Sequence, residues 1–387
     1  MRRLWYNAVM EINGKEYRTP GQLIEAQLNS RGWSQRVLSI VLDMDETGIN
    51  KLVAGKRPVT AELALILQEL FSVPAEQFME LQKSYDLAKA KLVMRPDENR
   101  NIRAHLFGGL PIAEMIKRGW LDAGDVRDVP AVEQALVKFF GVNSLSEIEI
   151  LPFAAKKTVV TGEVTPAQLA WLYRVKQIAG EMIAAPYSPI SVRKAIPRLS
   201  DLLAASEEAR KVPRILIESG IRFVIVESLP AAKIDGVCLW LDDGTPVVGM
   251  SLRHDRIDNF WFVLRHELEH VIQLHGRTAI MLDTELQENI ASITIPKEEQ
   301  VANEAAAEFC VPKKAIDGFI ARKSPLFAER DVIGFARTMH LHPGIIVGQL
   351  QYRTGRYELF RKHLVKIRAA IAPSAVVDGW GDIAPVL

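Results

Sequence analysis

The sequence predicts a mainly α-helical chain with one small β-sheet, an α+β arrangement spread over several domains. Three observations carry this reading. Most of the chain consists of runs with apolar residues three and four apart, punctuated by Pro, Gly and capping residues, which is the helical pattern. Only between Arg222 and Leu252 do three short runs rich in Val, Ile and Phe follow one another, joined by turns such as Asp242 to Thr245. The chain is also 387 residues long, enough for about two to three domains.

Composition narrows the class. Lys plus Arg number 48 and Asp plus Glu 47, so no overall field draws the chain to nucleic acid or acidic lipid, and any DNA contact must come from a local patch. The two cysteines, Cys238 and Cys310, lie among apolar residues and read as buried free thiols suited to a reducing cytosol. The amino-terminal residues lack the apolar core of a signal peptide, and no apolar run approaches the roughly 18 residues of a membrane span. A cytoplasmic protein without membrane contact is expected.

Taken in order, Asn13 and Gly14 suggest a short hairpin. Thr19 and Pro20 then open a helix that Gly32 closes, with Thr19 as N-cap and Pro20 in the first turn. Ser34 caps a helix through Leu42, Asp45 one ending at Gly55, Thr60 one ending near Phe71, and Pro74 starts a long helix to about residue 93. The short interval between the second and third helices is helix-turn-helix spacing, with the third as recognition helix. The gap-free stretch from Trp33 to Thr60, with its continuation through Ala64 and Gln82 to Ala88, resembles the XRE-type helix-turn-helix of HigA-like antitoxins over roughly residues 16–92. That resemblance implies a five-helix, DNA-binding, dimeric head. Gln35 is expected at phosphate, Thr47, Asn50 and Lys51 in the major groove, and Lys56 and Arg57 at the backbone. Two acids, Asp45 and Glu46, open the recognition helix where neutral or basic residues are usual, and Gly48 weakens it by about 1 kcal/mol.

A polar stretch from Pro96 to Asn101 marks a boundary. The text beyond it, to about residue 205, is Ala-, Leu- and Ile-rich and helical: Ile102–Arg118, Val129–Phe140, Ser144–Ile150, Pro166–Ala184 and Ser191–Ala205. None of its charged groups has catalytic or ligand spacing, so it reads as a scaffold or a sensing domain. The expected partition is 1–95, 96–205, 206–325 and a helical extension, 326–387, whose last fifteen residues look loose.

The chemistry is concentrated at His266, Glu267 and His270. The run from Asn259 to His275 holds no Pro or Gly and reads as helix. Histidines four apart then point at one spot, a two-point chelate for a divalent metal, usually Zn2+. Glu267 is placed to take a proton from a water on that ion without ligating it, the division of labour of H-E-x-x-H peptidases. A third ligand is needed. Gly276 stands where a further histidine would serve, and His275 is one residue early. Glu299 on a later helix can supply it, because Ala302, Ala305 and Ala306 allow close packing, and Asn303 shares its face to orient a ligating group.

The Asn-Phe-Trp-Phe run at 259–262 ahead of H-E-x-x-H, joined to Glu299, Ala302, Asn303, Ala306, Ala307 and Pro312, resembles the ImmA/IrrE family of zinc-dependent peptidases. The resemblance implies a zincin-like fold, zinc held by His266, His270 and Glu299, Glu267 as general base, and a protein substrate of the transcriptional-repressor type. Glu269 stands where the family usually has Gly. His254 stands where it often has a Tyr that steadies the oxyanion; a histidine can donate the same hydrogen bond or be a plain loop residue. The expected function is a zinc metallopeptidase that regulates transcription by cutting a repressor. The alternative is a HigA-like antitoxin or repressor that binds operator DNA and a toxin, with the zinc domain as sensor.

Overall fold

The computed structural model describes residues 10–12, 14–95, 97, 99–150, 156–157, 164–277, 281–284 and 296–381. The chain divides into two compact units, Met1–Glu98 and Asn99–Leu387.

In the first unit, β1 (Met10–Ile12) and β2 (Lys15–Tyr17) form an antiparallel hairpin. Five helices follow: α1 (Pro20–Arg31), α2 (Gln35–Val41), α3 (Glu46–Val53), α4 (Ala61–Phe71) and α5 (Ala75–Val93). The predicted caps are in place: the side chains of Thr19, Ser34, Asp45 and Thr60 each accept from a backbone N–H in the first turn, satisfying donors the helix leaves open. Leu23, Ile24, Leu38, Ile49, Leu67 and Phe78 fill the core with no exposure. Gly21 is required by packing, since a Cβ there would lie 2.0 Å from the Val53 carbonyl oxygen. Gly48 has a similar reason: a Cβ would lie 2.6 Å from the capping oxygen of Asp45 and 3.1 Å from the Arg57 guanidinium. The two acids that looked misplaced are accounted for, Asp45 as cap and Glu46 as the ion-pair partner of Arg36 at 3.6 Å.

The second unit is mostly helical around a small open sheet. It begins with α6 (Arg100–Gly109), α7 (Ile112–Lys117), α8 (Val129–Phe140), α9 (Leu145–Ile150), the two-residue β3 (Lys156–Lys157) and α10 (Pro166–Glu181). Then come α11 (Pro189–Ser200), α12 (Val212–Glu218), β4 (Arg222–Val226), β5 (Ile234–Trp240), β6 (Pro246–Met250), α13 (Ile257–Ile272) and β7 (Met281–Thr284). The chain closes with α14 (Lys297–Cys310), α15 (Lys313–Lys323), α16 (Glu329–Met339), α17 (Pro343–Thr354), α18 (Arg368–Ile371) and β8 (Val376–Asp378).

The single helix expected over 102–118 breaks into α6 and α7. Leu110 turns extended before Pro111, as residues preceding a proline do. The carboxy-terminal stretch expected to be loose supplies β8, which pairs in parallel with β4 and buries Val377 and Asp378.

The described strands lie in the order β3-β7-β5-β6-β4-β8, with β5 antiparallel to both neighbours. Strand alternation sends side chains to two faces, and helices cover both. Phe223, Ile225, Cys238, Val248 and Met250 share a core with α13 and the helices after it. Val224, Val226, Val237, Leu239 and Val247 share another with α6 to α10. Trp171 of α10 is wholly buried there and donates from Nε1 to the Val226 carbonyl at 2.9 Å. Arg118 fastens the same face: it donates to the Glu227 carbonyl at 2.7 Å and to Glu114 at 2.9 Å, and lies over the Trp120 ring.

Replacing Arg118 with Met keeps the apolar stem but strands these acceptors. The expected loss is about 2 kcal/mol, seen as a thermal midpoint lowered by roughly 4 °C or more for a unit of this size. An unchanged midpoint would show that this clamp is not holding the helices to the sheet.

Candidate metal centre

α13 is buried along nearly its whole length, polar residues included, with β5 and β6 on one flank and α14 and α17 on another. Its end is set by Leu274 and Gly276, both at positive φ. A side chain at Gly276 would press on the Cys238 carbonyl at 2.8 Å. α14 packs along it through Ala302 and Ala306, both without exposure. The two helices run antiparallel: Glu299, in the first turn of α14, meets the histidines near the end of α13, while Cys310 feels the charge of Asp258 at its start.

This packing brings His266, His270 and Glu299 together. All three are wholly buried, and one ligand atom from each lies within 4.8 Å of the others. The two Nε2 atoms are 3.1 Å apart, and each is 3.1 Å from one Glu299 carboxylate oxygen. Ligand atoms about 2.1 Å from a common ion at tetrahedral angles are spaced about 3.4 Å, close to what the side chains show. Neither Glu299 oxygen has a hydrogen-bond donor besides these histidines among the described residues. A carboxylate withdrawn from water with no further donor is costly unless a cation meets it, so two imidazoles and a carboxylate fit a divalent ion of the zinc type.

Around this cluster the structure gives a part to one residue set aside above as a third ligand and to another that the sequence did not single out. His275 Nδ1 lies 3.0 Å from His270 Nδ1. Burial, and next His270, hold His275 below the ordinary imidazole range. With Nε2 of His270 kept as a lone pair, its Nδ1–H donates to a neutral His275, which fixes the tautomer and the ring.

Gly236 is the second addition. A Cβ there would lie 2.1 Å from Oε1 of Glu267, so the bare strand is the seat of that buried carboxylate. A bulge between Ile234 and Gly236 makes the seat possible: Ile234 joins the core on the far face, while Gly236 turns toward α13. An isolated glycine inside a strand pattern was the available signal for such a close approach.

Glu269 points away from the cluster. Arg265 and Gln273, one turn before and after, donate to its two oxygens at 2.7 Å each. Burial pushes this carboxyl up, but those bonds outweigh burial and hold it below the usual carboxylate range. His254 lies half-buried in the loop between β6 and α13, and its carbonyl accepts from Arg256 N–H at 2.9 Å. Asn303 is half-buried on the wall of a cavity between α13, α14 and α17. His342 caps α17, accepting at Nδ1 from Gly344 N–H at 3.0 Å, and His340 ends α16 in the left-handed region. In the first unit Thr47, Asn50, Lys51, Lys56 and Arg57 are exposed and Gln35 is half-buried. No described helix is long and apolar enough to cross a membrane.

The full chain, purified without added metal and analysed by mass spectrometry, is expected to carry about one zinc per chain. Glu299→Ala should weaken zinc by about 100-fold or more, since even residues that merely support a ligand cost 10 to 100-fold. A variant that binds as tightly as the parent would remove Glu299 from the site.

A family comparison agrees with this geometry. Residues 218–324, from the end of α12 to just beyond α15, match the IrrE N-terminal-like domain, a peptidase family. Separately, 73 residues are 33% identical to Virulence-associated protein I of Dichelobacter nodosus, spanning 19% of this chain and 68% of that protein. The chain therefore belongs, through that shared stretch, to the family of Virulence-associated protein I, and over residues 218–324 it carries an IrrE-like peptidase domain built around a buried His-His-Glu cluster.

Proposed function

We propose that the second unit is a zinc-dependent endopeptidase acting on a protein of the transcriptional-repressor type. The observation that carries this is the convergence of His266, His270 and Glu299, all buried, with Glu267 next to the first of them. When bound, the divalent ion supplies electrophilic chemistry: it lowers the pKa of a water and polarises a carbonyl. His266, His270 and Glu299 would hold it. Glu267 takes the proton of the attacking water at a carboxylate oxygen held against Gly236. The water's oxygen adds to the scissile carbonyl carbon, the C–N bond breaks, and the proton kept on Glu267 passes to the leaving amine. His254, in the loop leading into α13, is placed in sequence to donate to the developing oxyanion. His275 keeps the His270 ring in register.

The experiment uses the zinc-loaded chain and a library of unstructured peptides, with mass spectrometry of newly formed amino termini. Glu267→Gln is expected to lower cleavage by about 100-fold to 10,000-fold, the usual contribution of a general base, while retaining zinc. Gly236→Ala should do the same, because its methyl displaces the carboxylate rather than a ligand. A parent chain that forms no new termini removes the peptidase reading. If Gly236→Ala retains full activity, the seat assigned to Glu267 is wrong.

A second reading concerns the first unit, and the exposed face of α3 supports it. Thr47, Asn50 and Lys51 stand free of the core there, followed by exposed Lys56 and Arg57, while the acids at the helix start are spent on a cap and an ion pair. This unit is read as a DNA-binding head that positions the peptidase at an operator, with Gln35 at phosphate. In selections from a random duplex library, Lys51→Ala should weaken binding and Lys56→Ala should lower the salt slope by about one. A chain that enriches no sequence at any salt concentration leaves the unit as a protein-binding or dimerisation head, as an antitoxin would need.

A further inference from the structure

The cavity between α13, α14 and α17 stands apart from the metal cluster: none of His266, Glu267, His270 and Glu299 lines it. It holds about 280 Å3 and takes one stripe from each helix. Asp258 and Phe262 are one turn apart on α13, Asn303 and Ala307 on α14, and on α17 Ile345, Gly348, Gln349 and Tyr352 follow at intervals of three and four. A hollow left by poor packing is lined by apolar groups alone. A mainly apolar wall with a few polar groups set into it is the make-up of a small-ligand site.

One of those polar groups has no part in the fold. Among the described residues four glutamines are buried, and three of them are used: Gln82 accepts from Val59 N–H at 3.0 Å, Gln168 donates to the Ala232 carbonyl at 2.8 Å, and Gln351 donates to the Leu359 carbonyl at 2.6 Å. The fourth, Gln349, is only 8% exposed, faces the cavity from the α17 stripe, and has no side-chain hydrogen bond among the described residues. An amide withdrawn from bulk water without a partner costs stability, whereas a leucine of similar size there would not. The rest of the wall limits what can meet it. Phe262, Tyr352 and Tyr357 bring aromatic side chains, and Ala307, Cys310 and Ile345 apolar surface. Arg256 and Asp258 are closed on each other, Nε to Oδ1 at 3.0 Å, and Glu304 is exposed, with water to solvate it. A charged molecule entering would lose its hydration for no free counter-charge, and a wholly apolar one would leave the Gln349 amide unmet. A carboxamide holds an N–H donor and a carbonyl acceptor side by side, and the edge that answers both is that of another amide or a lactam.

We infer that this cavity is a binding site for a small, neutral, flat molecule, a ring that carries an amide or lactam edge, with Gln349 paired to that edge and the aromatic side chains against the ring. Asn303, whose amide likewise has no partner among the described residues, supplies a second polar contact from α14. The site is separate from the peptidase reading and does not depend on it.

The test uses the full, zinc-loaded chain and three probes of one shape, para-fluorobenzamide, para-fluoroacetophenone and para-fluorobenzoate, titrated by fluorine NMR. The benzamide is expected to bind about tenfold or more tightly than the acetophenone, which keeps the ring and carbonyl but lacks the N–H donors, and the charged benzoate more weakly still. Gln349→Leu should erase the difference between the first two probes without lowering the thermal midpoint of the ligand-free chain, because the amide it removes has no partner to lose. Ala307→Leu should abolish binding of both by filling the space. Uracil, with its lactam inside the ring, is added as a competitor: displacement at lower concentration than plain benzamide assigns a nucleobase-type ligand, and at higher concentration a ring carboxamide. Saturating acetohydroxamate, which chelates zinc, should leave the benzamide affinity unchanged. If acetohydroxamate displaces the benzamide, if the three probes bind alike or not at all, or if the preference survives Gln349→Leu, the inference is overturned and the metal cluster stands as before.

Discussion

The close antiparallel contact of α13 and α14 is the constraint on which the second unit depends. It places two imidazoles and a carboxylate in an interior with no exposure at all. Charges so placed are destabilising when left alone, because the desolvation of each ion exceeds what a distant partner returns. Three ligand atoms about 3 Å apart are spaced so that a divalent cation would turn that liability into a chelate. The approach depends on side chains being absent as much as on those present. Ala302 and Ala306 let the two helices touch, and on α17 Gly348 leaves room for Asp258 of α13, whose oxygen would lie 2.3 Å from a Cβ there.

The sheet then acts as the fixed wall against which α13 is referenced. One face carries α13; the other is covered by α6 to α10, so the strands are buried on both sides and cannot drift. This gives the helices of residues 99–181 a physical task. By pressing on Val224, Val226, Val237 and Leu239, they hold β5 in place, and β5 carries the glycine that seats Glu267. Trp171 and Arg118, each bonded to a backbone carbonyl at or just beyond the end of β4, pin that layer at its rim. The bulge at Ile234 to Gly236 is the local break in alternation that lets one strand serve an apolar core on one side and a carboxylate on the other.

What could be read from the sequence follows from the range of the interactions involved. The α+β character, the caps at Thr19, Ser34, Asp45 and Thr60, and the three strands after Arg222 were legible because they are set by neighbours a few residues apart. The pairing of His266 with His270 was legible for the same reason. Glu299 was reached only by asking which later helix could bring a third donor, and the family resemblance supplied the same residue. The failures are of longer range or finer grain. One prolyl residue cut the helix expected over 102–118. Val376, Val377 and Asp378 form β8 because β4, some 150 residues earlier, offers them an edge. Gly236, His275 and the cavity behind Phe262 arise from register, turn and helix crossing, and none of these is written in local periodicity.

The charges around α13 narrow the chemical assignment. Asp258 is paired with Arg256, Asp235 with Arg253, and Glu269 is held by Arg265 and Gln273, while Asp255 accepts from the backbone N–H groups of Ile367 and Arg368. Each of these carboxylates is satisfied where it stands, and hydrogen bonds hold Glu269 ionised on the side away from the cluster. Two differ. Among the described residues Glu299 meets the two histidines, and Glu267 rests against the bare strand at Gly236. A metal ligand must keep its lone pairs free of competing donors, and a proton acceptor must sit where a proton can reach it. By that criterion the acids of this region divide into those that hold the fold and the pair beside the histidines, which suits the ligand role proposed for Glu299 and the base role proposed for Glu267.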